Sequence, residues 1–187
     1  MSLFADSNDI AYTSDKRNVR TQHNEEETTM DVWIVYDSVF GNTEKVAQAM
    51  GEALAAEMAV EVLKVGDADP QQVSGLQILI VGSPTRAFSP TPDTKSFLNR
   101  IPRNALQGIN VAAFDTRVAI EEVDSAILNL FVKIFGYAAK PIAKRLERRG
   151  SSLVLPPEGF IVGGTEGPMN EGELERAAAW AKKVADA

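Results

Sequence analysis

"IVYDSVFGNTEKVAQAM", residues 34–50, starts as an unbroken apolar run and ends with apolar residues at helical spacing. The first part suits a strand covered on both faces. In the second, Val46, Ala49, Met50, Ala53, Leu54 and Met58 fall on one side of a helix. Between them lies a stretch of hydroxyl, amide and glycine residues, Ser38 to Thr43. A helix that opens there presents backbone N–H groups without intrahelical acceptors, at the positive end of its dipole, and so favours a phosphate. Gly41 lets the backbone turn sharply and approach a ligand. Neither Gly-x-x-x-x-Gly-Lys-Ser/Thr nor Gly-x-Gly-x-x-Gly is present, so a monophosphate ester suits the loop better than a triphosphate or a pyrophosphate. The plainer alternative is a capped strand-to-helix turn.

Outward from this stretch, short apolar runs alternate with helical patterns. The strand candidates are residues 32–36, 60–65, 77–82, 110–115 and 159–164, with "SLVL" (152–155) an extension of the last. A short helix is expected from Thr91 with Pro92 in its first turn, and a closing helix capped by Asn170. Strands alternating with helices predict βαβ units, a parallel sheet with helices on both faces, and a ligand beyond the carboxyl ends of the strands.

The 187 residues, 44% of them hydrophobic, suit one domain. A net charge of -7 argues against a nucleic-acid binder, whose affinity rests on cations. With no cysteine and only His23, the chain has no thiolate chemistry, no Ser-His-Asp triad and no Cys/His metal site, so redox or group-transfer chemistry would need a borrowed cofactor. No catalytic residue and no metal ligand is assigned. Residues 1–30 read as a flexible polar tail and 31–187 as the folded domain. The leader lacks an apolar h-region, and no segment reaches the roughly 18 apolar residues of a membrane span. A cytoplasmic protein without a transmembrane segment is expected.

Ser38-Val39-Phe40-Gly41-Asn42-Thr43 resembles the first loop of the flavodoxins, FMN-binding electron-transfer domains, whose pattern is Thr/Ser-x-Thr/Ser-Gly-x-Thr. Phe40 replaces a hydroxyl residue, and its backbone N–H would serve instead. "GSPTRAFSPTPD" (82–93) is similar to the family's second loop, which implies that Pro84, Thr85, Arg86, Ala87 and Phe88 lie beside the isoalloxazine ring. Phe88 then either covers the ring or folds back onto the core. "FDTR" (114–117) matches the third loop, with Asp115, Thr116 and Arg117 near the flavin. Many electron-transfer flavodoxins have acidic residues there. Arg117 would instead stabilise the reduced anion and make the potential less negative, unless it pairs with Asp115, Glu121 or Glu122.

"AAFDTR", "AAKPIAKRLERRG" and "GFIVGGTEGPMNEGELERAAAWA" are similar to small actinobacterial-type flavodoxin domain proteins, so the resemblance covers nearly everything from Met30. It implies a flavodoxin-like three-layer α/β sandwich with strand order 2-1-3-4-5. It further implies an FMN-binding protein that carries electrons between redox partners, either proteins or small acceptors. Two other functions stay open: an FMN-dependent NAD(P)H:quinone-type reductase, and a flavodoxin-fold interaction or regulatory module with weak or lost FMN binding. Residues 163–173 should lead the last strand into the last helix near the flavin-bearing edge. "SAILNLFVKIFGYAAKPIAKRLERRG" (125–150) is apolar from Ile127 to Tyr137, then basic at Lys140, Lys144, Arg145, Arg148 and Arg149. It reads as a packed crossover helix, a homodimer or redox-partner surface, or a contact with anionic membrane, and Pro141 should break or kink it.

Overall fold

A computed structural model describes residues 32–118, 137–164 and 166–187. Five strands form one parallel sheet: β1 (Val32–Tyr36), β2 (Val60–Lys64), β3 (Ile78–Pro84), β4 (Asn110–Val118) and β5 (Glu158–Val162), ordered β2-β1-β3-β4-β5. The described helices are α1 (Asn42–Leu54), α2 (Pro92–Arg100), α3 (Ala139–Glu147) and α4 (Glu173–Ala185). The expected α/β sandwich and strand order are present. The polar leader with His23, the acids Glu121 and Glu122, and the apolar run before Tyr137, on which the dimer and membrane readings rest, lie outside the described residues.

The period-two alternation of the strands divides the core. Val32, Ile34, Ile78, Ile80, Ala112 and Phe114 face α1 and α4, where they meet Val46, Met50, Trp180 and Val184. Trp33, Val35, Leu79, Val81, Val111 and Ala113 face α2 and α3 and meet Phe97, Leu98, Ile142 and Leu146. Both faces are dry, which is why the central strands read as continuous apolar runs. Phe114, Phe160 and Trp180 pack edge to face, with centroids 5.9, 6.5 and 6.2 Å apart. The Phe114 ring lies over Gly82, its partner across β3 and β4, where a Cβ would have no room.

Several local expectations are corrected. Helix α1 stops at Leu54, and its buried stripe includes Ala47 and Gly51, while Ala49 and Ala53 are only half-buried. Gly51 brings the helix close onto Val62, which rotates the contact stripe. β4 runs on to Val118, so Asp115, Thr116 and Arg117 belong to the strand and pair with Gly159, Phe160 and Ile161. "SLVL" is not a continuous part of β5. Leu153 alone bridges Val111, whereas Phe114 pairs with Glu158, and the intervening Pro156 and Pro157 have no N–H for the ladder. Pro141 lies in the first turn of α3, where the missing N–H costs nothing, so it neither breaks nor kinks the helix. Thr91 does cap α2, accepting from the Thr94 N–H at 3.3 Å.

Asn170 does not cap α4. The helix starts at Glu173 after Gly172, whose φ of 80° turns the chain. The Glu173 carboxylate accepts the Ile161 N–H at 2.6 Å and two Arg176 hydrogen bonds at 2.9 and 2.7 Å, and Arg176 reaches Glu158 at 3.0 Å. Burial is the largest single influence on Glu173 and pushes its carboxyl up. Arg176 and the Ile161 N–H together outweigh it and hold the carboxyl below its ordinary range. A lowered folded-state value gives stability that is present above the unfolded value and lost as pH falls through the folded one. Glu173→Gln should therefore cost about 1 kcal/mol near neutral pH, because solvent reaches the partly exposed Arg176 and screens the pair. In urea titrations, the gap from the parent should close below about pH 4. A gap that persists in acid would contradict this origin.

Candidate functional site

Residues 37–41 turn β1 into α1. Gly41 is the residue before the helix, in the left-handed region at φ 81°, and no side chain caps the helix. Among the described residues, no side chain accepts a hydrogen bond from the first-turn N–H groups of α1. Asn42 and Thr43 are polar yet buried. Asn42 donates from Nδ2 to the Glu166 carbonyl at 2.9 Å, and Gly167 packs against the same amide. The turn between β5 and α4 thus abuts this loop, as expected of residues 163–173, although Thr165 lies outside the described residues. Ser38 donates its N–H to Asp37 Oδ1 at 2.8 Å. Its own Oγ is sealed from solvent and has no hydrogen-bond partner among the described residues.

Alternation along β4 sorts its polar tip. Thr116 shares the face of Ala112 and Phe114, so its hydroxyl meets that of Thr43 on α1 at 2.8 Å. Asp115 and Arg117 point to the opposite face, toward α3. Asp115 is fully buried; its carboxylate accepts the Ala139 N–H at 2.7 Å and pairs with Arg117 at 2.5 Å. The Thr85 hydroxyl also bonds it, while accepting the Ala138 N–H at 2.9 Å. Burial pushes the Asp115 carboxyl up from its ordinary range, against the pull of Arg117, the Ala139 N–H and Thr85. The Arg117 guanidinium lies 3.7 Å from the centroid of the Tyr137 ring and against Gly159, where a Cβ would collide with it. Of the partners expected for Arg117, Asp115 is the one described.

After β3, Arg86 and Ser89 exchange both backbone hydrogen bonds at 2.9 and 3.0 Å. The two residues between them, Ala87 and Phe88, have φ of 45° and 62°. A two-residue hairpin of this hand normally takes Asn-Gly, so alanine and phenylalanine there hold a strained turn.

These three segments converge on a cavity of about 380 Å³. Its wall includes Val39, Phe40, Asn42 and Thr43 from the first loop, Pro84, Thr85, Arg86 and Ala87 from the second, and Thr116 and Arg117 from the tip of β4. Ser38, Gly41, Phe88 and Asp115 stand off the wall. Val118 and Val162 also line it and lie outside the expected set: β4 reads as ending at residue 115 by local pattern, and nothing in the β5 run marks Val162 as facing a cavity. Among the described residues, no carboxylate lines the cavity, whereas two arginines do, in a chain of net charge -7. The cavity size suits a cofactor. A phosphorylated group fits these residues: the uncapped N–H groups and the orphaned Ser38 hydroxyl are donors in want of an acceptor. Among the described residues no cluster of His, Asp or Glu could hold a metal ion, and no helix is long and apolar enough to cross a membrane.

The model of the flavodoxin family matches residues 34–180 of this chain. Flavodoxin 2 from Bacillus cereus, in its oxidised crystal structure, superposes with a TM-score of 0.66 at 22% identity, over 83% of this chain and 98% of that one. A flavodoxin from the domain Archaea superposes with a TM-score of 0.64 at 19% identity, over 83% and 96%. The two-electron reduced flavodoxin of Megasphaera elsdenii does so with 0.58 at 24%, over 83% and 99%. No curated protein sequence matches the chain.

Removing the Asp115 carboxylate would strand a largely buried guanidinium and leave the Ala139 N–H unpaired. Asp115→Ala should cost about 3 kcal/mol in chemical denaturation, far more than an exposed charge deletion. A loss below about 1 kcal/mol would mean that the node does not hold α3 to β4.

Proposed function

The chain belongs to the flavodoxin family, and on that premise we propose that it binds FMN at the carboxyl edge of the sheet. It then carries electrons in the cytoplasm between a redox partner protein and a second partner or small acceptor. The observation that carries this reading is the cavity beside the uncapped end of α1, with Arg86 and Arg117 and, among the described residues, no carboxylate on its wall. Residues 38–43 would hold the phosphate, through the first-turn N–H groups and the hydroxyls of Ser38 and Thr43. Pro84, Thr85, Arg86 and Ala87, with Thr116, Arg117, Val118 and Val162, would enclose the ring. FMN, when bound, supplies the one- and two-electron chemistry that a chain without cysteine lacks.

Arg117 has the residue-specific part in this reading. Its guanidinium forms part of the wall, and the Asp115 carboxylate is buried off it. The pair therefore turns its cation toward the cavity, and negative charge gained there is stabilised. Tyr137 and Gly159 hold the guanidinium in place.

Titration of the apo protein with FMN and with riboflavin tests the phosphate assignment. FMN should bind more tightly by about tenfold or more, the equivalent of at least one charge-assisted hydrogen bond. Thr43→Ala should weaken FMN and spare riboflavin; equal affinities for the two flavins in the parent would overturn the assignment. Arg117→Gln should make the two-electron potential of the loaded protein more negative by on the order of 30 mV, matching about 1.4 kcal/mol. An unchanged or more positive potential would remove Arg117 from that role.

A further inference from the structure

The edge of the sheet opposite the flavodoxin cavity carries a second concentration of positive charge. α2 ends at Arg100 and α3 at Glu147, both leading back to the amino ends of strands. Between those helix ends lies a cleft of about 550 Å³ lined by Asn99, Arg103, Asn104, Arg145, Arg148 and Arg149. Of the described residues that line it, four of the six are arginines and none is acidic, although the chain has 26 carboxylate residues against 19 cationic ones. Helix carboxyl ends attract cations, and that accounts for Arg149, which donates to the Leu98 and Asn99 carbonyls at 3.2 and 2.5 Å. Arg145 bonds the Pro141 carbonyl of its own helix at 3.1 Å. The side chains of Arg103 and Arg148 have no hydrogen bond or ion pair among the described residues and are exposed.

The cleft is also built rather than incidental. The Leu106 N–H donates to the Arg149 carbonyl at 3.2 Å, tying the two lining segments together. Asn104, at φ 61°, packs its Cα against Gly150, itself left-handed at φ 102°. Four guanidinium groups held around one concavity repel one another unless an anion joins them. Their planar forks match phosphate oxygens in pairs, which lysines cannot do. We propose that this cleft is a second anion site, taking the phosphate groups of a small phosphorylated ligand at the edge remote from the flavodoxin cavity. Its concavity and nucleotide-sized volume favour a small ligand. The acidity of the rest of the chain disfavours an extended polyanion.

The proposal does not depend on FMN binding, and calorimetric titration of the full chain with tripolyphosphate tests it. The titration is run at low salt, with and without saturating FMN. With FMN occupying the opening of α1, tripolyphosphate should still bind the parent at this cleft, and more weakly as salt is raised. Arg103→Gln combined with Arg148→Gln should weaken it by about tenfold or more, with an unchanged urea midpoint. The corresponding pair of lysine substitutions should recover only part of the affinity, because the forks are lost. ATP should bind at least as well as tripolyphosphate and adenosine not at all, which marks phosphate as the group recognised. Failure of the parent to bind, full affinity in the glutamine variant, or loss of binding when FMN is present would each overturn the proposal. So would an acidic peptide that binds the cleft more tightly than tripolyphosphate, since that would make it a protein-docking surface.

Discussion

A sheet that is dry on both faces has to become polar at one edge if it is to hold anything, and the buried carboxylate of Asp115 is where this transition is made. Its neighbours along β4 are apolar up to Phe114, and the next residue accepts the first N–H of α3, the Thr85 hydroxyl and the Arg117 guanidinium. A buried charge is tolerated only when its hydrogen-bonding capacity is met, and three elements are held in register to meet it. β4, α3 and the segment after β3 thus share one polar node. The cavity lies beside it.

Strand parity then distributes the chemistry. Thr116, one residue on, points to the other face and binds the Thr43 hydroxyl, so the tip of β4 is tied to the start of α1 as well. Asn42 ties that same start to the turn after β5 through the Glu166 carbonyl. The loop of residues 38–43 is held from two sides by side chains, and its backbone donors are left uncommitted to side-chain caps. Rigid support with free donors is what a preorganised anion site requires. The two arginine-lined concavities lie at opposite edges of the sheet, and among the described residues no carboxylate lines either.

Much of this was legible in the sequence. Apolar runs gave the strands, and "DSVFGNTEK" between a strand and a helix marked the loop at the carboxyl edge. Thr91 and Pro92 announced α2 by capping chemistry that acts within one turn. The failures share a cause, which is that they depend on neighbours distant in sequence. β4 continues through the polar residues 115–117 because β5 pairs with them and α3 satisfies Asp115, neither of which a local pattern can show. Asn170 looks like a cap, but Glu173 is fixed by Ile161 and Arg176 and sets the helix start. The tightness of α1 against β2 rests on Gly51 meeting Val62, a contact between elements. The arginines at residues 145, 148 and 149 were legible as a basic run, but their convergence with Arg103 comes from two helices ending side by side.

Backbone amide spectra of the isotope-labelled protein, recorded as FMN and then riboflavin are added, would locate the phosphate residue by residue. With FMN, the amides of Ser38, Gly41, Asn42 and Thr43 should shift together with those of Thr85, Arg86, Ala87 and Arg117. With riboflavin, the second group should move and the first stay in place. Shifts in the first group with both flavins, or shifts confined to other parts of the chain, would contradict a phosphate seated at the opening of α1.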